Sequence, residues 1–327
     1  MLLINRTELE KALPMTTVIE AIEEGFREHQ RDRSLTPPRM HVELEQVEGV
    51  YLLMPSYLEN GALFGTKLLS VYPRNRQHRK PTINSVYILN DAVDGTFLAM
   101  MDGIFLTGVR TGAASAVAVK HLAREDASVH GIIGCGGQAL YQAGAIAAVR
   151  PIERTLFCDH KKESAEALAR EAAARFSIPA EALDTPAAVA CRADILTTVT
   201  TSTTPVVKLS DLKPGCHVNA VGAFKPTMQE IESDIVQGAL VVVDTYEGCL
   251  REAGDLIIPI DKGEYRRENI HAELGEILLG EKCGRSSNAQ LTLFKSVGVA
   301  FEDLSAARLA YRAATREGLG TLLTLDD

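Results

Sequence analysis

From Val18 the apolar positions recur at helical spacing: Val18, Ala21, Ile22, Gly25 and Phe26 fall at i, i+3, i+4, i+7 and i+8. Thr17 and Glu20 have the spacing of a capping box, so the pattern predicts an amphipathic helix running to about Arg31 and ended by Pro37 and Pro38. Short alternating segments follow at His41–Val47, Val50–Met54, Leu63–Val71 and Ser85–Leu89, then at Phe97–Asp102 after the Asp94-Gly95 turn. They predict an antiparallel sheet of hairpins.

Near Phe105 the period changes. The stretch GIFLTGVRTGAASAVAVKHLA is rich in small residues and helical in spacing. Strands and helices then alternate closely: a strand at Ser128–Gly134, a helix to Val149, a strand at Thr155–Asp159, a helix from Lys161 to Phe176, and strands at Ile195–Val199, Cys216–Val221 and Leu240–Asp244. Such alternation with short connections predicts a parallel doubly wound sheet. The run from about Ile132 to Val149 is the most apolar, but glycines crowd it and Gln138 and Gln142 interrupt it, so it reads as buried strand and helix and not as a membrane span. A last helix spans Phe301 to about Arg316, with Leu304, Ala307, Arg308 and Tyr311 at helical spacing. Periodicity leaves open whether it closes the second domain or packs back on the first.

Within the alternating half, Gly134-Cys135-Gly136-Gly137-Gln138-Ala139 matches G-x-G-x-x-G/A directly after the strand VHGII and directly before the helix ALYQAGAIAAV. Gly134 permits the tight turn, Gly136 lets the backbone approach a pyrophosphate, and Ala139 allows close helix–strand packing. Free N–H groups and a partial positive charge at the helix N-terminus suit phosphates. Asp159 ends the next strand, TLFCD, where a carboxylate binds ribose hydroxyls and repels a 2′-phosphate. The expected cofactor is therefore NAD or NADP, with Asp159 favouring NAD and the adjacent Lys161 and Lys162 leaving NADP open.

Composition narrows the partners. Against 43 Asp+Glu stand 34 Lys+Arg, a net charge of −9, so no broad cationic field exists for nucleic acid or an anionic membrane. The 46% hydrophobic and 24% charged content is that of an ordinary globular chain, and 327 residues suffice for about two domains. Six cysteines lie at long intervals with no C-x-x-C pair, which fits reduced thiols, no zinc site and a cytoplasmic location. The opening MLLINRTELEKALP lacks a basic region feeding an apolar run and does not read as a signal peptide.

Three cations sit in segments that are otherwise apolar or small: Arg39 in PPRMHV, Lys67 in FGTKLLSV and Arg110 in LTGVRTGAAS. A lysine flanked by Leu68 and Leu69 in a strand must snorkel outward or meet an anion. Guanidinium forks suit a carboxylate.

Through PPRM, LLMPSY, GTKLLSVYP, MDGIFLTGVRTGAASA, GCGGQA, NAVGAFKP, VDTYEG, EAGDL and LFKSVG, nearly the whole chain resembles the ornithine cyclodeaminase/μ-crystallin family. The resemblance implies an α/β chain in which a Rossmann doubly wound domain, residues 113–299, is inserted in an α+β substrate-binding and dimerisation domain, residues 1–112 plus 300–327. It also implies a homodimer, a nicotinamide cofactor and chemistry at the α-carbon of a small amino or imino acid. By position, Arg39, Lys67 and Arg110 match substrate-carboxylate ligands, with Lys67 also a proton donor. Thr82, Arg110 and Thr111 match positions near the cofactor phosphates or nicotinamide. Thr200, Val221 and Ser296 match segments lining the cofactor cleft, beside Gly134, Gly136, Gly137, Gln138, Asp159 and His160.

Two departures bear on the reaction. Where the cyclodeaminases carry an aspartate in G-G-D-x-P, this chain has Gly222-Ala223-Phe224-Lys225-Pro226. Where they carry an acid before L-M-P, it has Leu52. A carboxylate clamp and a proton donor without those acids suit reduction of a C=N bond beside a carboxylate. The expected substrate is a cyclic ketimine such as Δ1-pyrroline-2-carboxylate or Δ1-piperideine-2-carboxylate. The alternatives are ornithine cyclodeamination, an alanine-type dehydrogenase, and a non-catalytic small-molecule binder like μ-crystallin.

Overall fold

The computed structural model describes residues 1–78 and 80–324, and the chain divides into two compact units, Met1–Arg110 with Val299–Asp327 and Thr111–Gly298. The first unit contains β1 (Leu2–Ile4), α1 (Arg6–Ala12), α2 (Met15–Gln30), β2 (Ser34–Leu35), β3 (Met40–Leu44), β4 (Gly49–Leu58), β5 (Leu63–Val71), β6 (Ile83–Asp91) and β7 (Phe97–Asp102), and leads into α3 (Gly103–Leu122). The second contains β8 (Val129–Ile133), α4 (Ala139–Ala147), β9 (Arg154–Cys158), α5 (Lys162–Phe176), β10 (Ala180–Ala182), α6 (Pro186–Ala190), β11 (Ile195–Thr198) and β12 (His217–Ala220). It continues through α7 (Ser233–Gly238), β13 (Leu240–Val243), α8 (Tyr246–Glu252), α9 (Gly254–Asp261), β14 (Ala272–Glu273), α10 (Leu274–Leu278) and β15 (Thr292–Lys295). The chain then re-enters the first unit with α11 (Ala300–Glu317) and β16 (Thr321–Leu322).

The sheet of the first unit runs β16-β1-β7-β6-β5-β4-β2, with β3 also on β4. Hairpin pairing holds from β4 to β7, but the sheet is mixed, because β1 pairs with β7 in parallel. The alternation places Leu52, Met54, Leu63, Lys67, Tyr87, Leu89, Ala99 and Met101 on a buried face, while Leu53, Leu68, Ile88 and Met100 are half-exposed and Val86 exposed. The buried face carries α11, which packs on β4, β5 and α2, with Phe26 and Phe301 in edge contact at 5.1 Å.

Three local expectations need correction. The first predicted helix begins at Met15, and Thr17 donates its hydroxyl to the Pro14 carbonyl at 2.8 Å instead of capping. A separate α1 precedes it, held by a capping box in which Asn5 and Glu8 exchange hydrogen bonds. The strand expected to stop at Met54 runs through Pro55 to Leu58; β3 pairs with β4 only as far as Leu53 and β2 only from Tyr57, so Pro55 sits at a local edge where no N–H is wanted.

The second unit's sheet is wholly parallel, in the order β10-β9-β8-β11-β12-β15-β13-β14. Strand order reverses beside β8, so the carboxyl ends of β8, β9 and β11 form the place where such sheets bind ligands. Both faces are buried: Ile132 and Phe157 belong to one apolar cluster with Ala139, Ala143, Ala165 and Ala169, while Ile133 and Leu156 belong to another with Val189, Val218 and Val241. This is the doubly wound α/β architecture.

Candidate functional site

Lys67 occupies the buried face of β5 and is 2% exposed. It does not snorkel. Its ammonium donates to Asp303 Oδ1 at 3.0 Å and Oδ2 at 2.8 Å, where Asp303 lies in the first turn of α11. Arg110 of α3 joins the same acids, Nε to Asp303 Oδ1 at 3.1 Å and Nη1 to Glu302 Oε2 at 2.7 Å. Arg39, half-buried just before β3, acts on Lys67 through its charge. The three cations singled out from the sequence therefore belong to one cluster, built with two carboxylates that the sequence reading did not mark.

The electrostatics follow from burial and neighbours. Burial pushes the Lys67 ammonium down to about 8 against the opposing attraction of Asp303, with Arg110 and Arg39 adding to the fall. For Asp303, burial pushes upward, yet the charges of Arg110 and Lys67 win and hold its carboxyl below the usual range. Arg110 is raised, since the attraction of Asp303 and Glu302 outweighs its desolvation. Opposite Lys67 on β6, Tyr87 is driven well above its ordinary value by burial and then by Asp303. Its hydroxyl has no partner among the described residues.

The positions of the missing cyclodeaminase acids are also resolved. Leu52 is buried on β4, and Phe224 is 42% exposed in the loop after β12. Neither can take a proton.

In the second unit, Gly134 follows β8 with φ +100°, a conformation that favours glycine, and a Cβ there would meet the Val199 carbonyl at 2.8 Å. At Gly136 and Gly137 a Cβ would meet nothing within 4 Å, so open space lies over the loop at the start of α4. Asp159 follows β9 and accepts from Cys135 N at 2.8 Å and Lys161 N at 2.9 Å, with His160 Nδ1 lying 2.9 Å from one carboxylate oxygen. Lys162 is turned to Asp184 at 2.8 Å. An open glycine loop at a helix N-terminus beside a fixed carboxylate fits a nicotinamide dinucleotide.

Thr200, Val221 and Ser296 sit just past β11, β12 and β15, and buried acids hold those ends. Glu230 accepts from Thr200 N at 2.6 Å, Gly222 N at 2.7 Å and Ala223 N at 3.0 Å. Burial and then Asp255 raise its carboxyl, with Lys295 opposing. Asp255 takes the Lys295 ammonium at 2.9 Å and the backbone N–H of Glu230 at 2.7 Å. Asp244 takes Ser296 Oγ at 2.9 Å together with Val297 N and Gly298 N. Thr111 is buried in α3, and Thr82 is half-buried one residue before β6.

Sequence reasoning missed Asp303, Glu302, Glu230, Asp255 and Asp244. Acids in the first turn of a helix look like ordinary dipole partners, so Glu302 and Asp303 gave no signal. Lys295, inside the apolar run LTLFKSV, offered the same signal as Lys67.

A model of the Ornithine cyclodeaminase/mu-crystallin family matches residues 1–318. The Delta(1)-pyrroline-2-carboxylate reductase of Bacillus cereus is 41% identical over 321 residues, 98% of this chain and 98% of that one. The solved structure of Thermococcus litoralis Delta(1)-pyrroline-2-carboxylate reductase, in complex with NADH and L-proline, matches with a TM-score of 0.96 at 41% identity, over 99% of this chain and 100% of that one. An archaeal alanine dehydrogenase dimer with bound NAD matches with a TM-score of 0.92 at 34% identity over 99% of each chain.

Proposed function

Because the chain belongs to the ornithine cyclodeaminase/mu-crystallin family, we propose that it is an NAD(P)-dependent oxidoreductase reducing a cyclic ketimine, such as Δ1-pyrroline-2-carboxylate or Δ1-piperideine-2-carboxylate, to the L-amino acid. The observation that carries this reading is the buried cluster of Lys67 and Arg110 with Arg39, in a chain that has Leu52 and Phe224 where deamination would need acids.

In this reading Arg39, Lys67 and Arg110 bind the substrate carboxylate, which orients the C=N bond. The loop from Gly134 to Gln138 and the start of α4 take the pyrophosphate, and Asp159 with His160 faces the ribose. Thr200, Val221 and Ser296 line the nicotinamide side, with Thr82, Arg110 and Thr111 completing the cofactor contacts. The reduced cofactor supplies the hydride for the imine carbon. Lys67 gives the nitrogen its proton and, now neutral, regains one from water.

The domain roles follow: residues 1–112 with 300–327 for substrate and dimerisation, residues 113–299 for cofactor. Support for a homodimer comes from the outer sheet face, where Leu53, Leu68, Val86, Ile88 and Met100 leave apolar area that a two-fold copy would cover, and from the dimeric alanine dehydrogenase neighbour. Six unpaired cysteines fit a cytoplasmic location, and no described helix is long and apolar enough to cross a membrane.

The test is the purified protein with NADH or NADPH against both ketimines, pyruvate with ammonia, and L-ornithine. Loss of reduced-nicotinamide absorbance with a ketimine is expected, with little ammonia from ornithine. Robust conversion of ornithine to proline without added reductant would overturn the reading.

A further inference from the structure

The buried cations of the first unit do not wait unpartnered for a substrate. The Lys67 ammonium lies 3.0 and 2.8 Å from the two oxygens of one carboxylate, Asp303, and no other acceptor is bonded to it among the described residues. The pair is buried, with side-chain exposures of 2% for Lys67 and 0% for Asp303. Arg110, tied to both Asp303 and Glu302, keeps Asp303 from turning away.

We propose that Asp303 is the positioning residue for proton transfer: its carboxylate anchors the Lys67 ammonium from one side, so that an N–H not directed at Asp303 is the one given to the reacting nitrogen, and the pairing holds a cation in a buried place. The inference rests on the reading of Lys67 as the proton donor. Charge and geometry both support it. A lysine this buried loses its proton unless an anion compensates. Of the charged groups near Lys67, Arg110 on α3 and Arg39 before β3 repel the ammonium, while Asp303 attracts it and bonds it directly. Glu302 on α11 is engaged with Arg110, Tyr87 on β6 stays protonated, and β4 places uncharged Met54 opposite. The balance leaves Lys67 at about 8, an acid strength suited to giving up a proton near neutral pH.

The step balances simply. The C=N π bond breaks as hydride adds to carbon, nitrogen takes a proton from Lys67, and the nicotinamide is oxidised. Lys67 is left as a neutral amine beside Asp303 and is recharged from solvent.

The experiment compares pH profiles of kcat and kcat/KM for ketimine reduction in wild type, Asp303→Asn, Asp303→Glu and Lys67→Arg. Wild-type rates are expected to fall as pH rises through about 8. Asp303→Asn keeps the shape but removes the charge, so its alkaline limb should move about one to two pH units toward acid, with roughly 5- to 50-fold loss at pH 8 and much of it recovered near pH 6. Asp303→Glu restores the charge with the oxygens displaced, so its limb should stay near the wild-type position while kcat falls. That variant keeps the test alive if Asp303→Asn does not fold. Equal loss at every pH in Asp303→Asn, or a shifted limb in Asp303→Glu, would overturn the role of Asp303. Near-normal turnover of Lys67→Arg with no alkaline limb in wild type would instead overturn the assignment of Lys67 itself.

Discussion

The Asp159 carboxylate accepts a hydrogen bond from the backbone N–H of Cys135 at 2.8 Å, tying the end of β9 to the glycine loop after β8. A second oxygen is held by Lys161 N, so the acid is fixed at the loop it is proposed to serve. A 2′-phosphate brought beside that fixed charge is repelled, and Lys162, paired with Asp184, is not poised to offset it. Asp159→Ala should therefore raise KM for NADH by about tenfold or more while sparing or improving NADPH. Steady-state kinetics with both cofactors check this; an unchanged preference removes Asp159 from cofactor recognition.

Arg39→Ala, Lys67→Ala and Arg110→Ala should each lose roughly 2 kcal/mol or more in kcat/KM, the scale of unpairing one member of a desolvated charge pair. Their effects on stability should differ. Arg110→Ala strips a partner from the fully buried Glu302 and Asp303 and should cost about 3–5 kcal/mol, whereas Arg39 is only half-buried and its loss should leave the melting temperature nearly unchanged. Denaturant unfolding beside kinetics separates the two; equal destabilisation by both would contradict the burial argument.

His130 and His217 stand inside the parallel sheet, paired with Thr197 at 2.9 Å and with Thr292 at 2.9 Å and Asn219 at 3.0 Å. Burial pushes both imidazoles down to about 3 from an ordinary 6.5. Between those values the unfolded chain binds more protons than the folded one, so their contribution is complete above pH 6.5 and is lost as pH falls toward 3. Each should remove about 1.4 kcal/mol per pH unit in that window. Urea midpoints from pH 7 to 5 give the slope, and His130→Gln should lower it by about one proton; a flat profile in wild type would contradict the neutral buried state.

Leu68→Asp or Val86→Asp places a charge on the outer face of the first unit's sheet without touching the row that carries Lys67. If that face joins two copies, either change should turn a dimer into a monomer in light scattering at micromolar concentration. A variant that stays dimeric would place the interface elsewhere.

How much was legible in the chain depended on how local each signal was. Strand, glycine loop and helix follow one another without interruption from Val129 to Ala147, so their periods and the φ demanded at Gly134 were readable in the order of residues. The suspicion that fell on Lys67 was also local: a charge inside an alternating apolar run has to find water or an anion. Composition and motif order reached further, to the family and its cofactor class.

Distance in sequence marks where that reading stopped. The anion that Lys67 found is Asp303, 236 positions away, because α11 returns to the buried face of β5. Pairing of β1 with β7, the passage of β4 through Pro55, and the carboxylates of Glu230, Asp244 and Asp255 under the strand ends belong to the same class. Periodicity names the face a residue takes, while its partner depends on which other face arrives there, and that is decided only when burial of the whole core selects one arrangement of sheets and helices. The sequence thus determined the kinds of element and singled out the cations; the tertiary structure decided which acids hold Lys67 and Arg110.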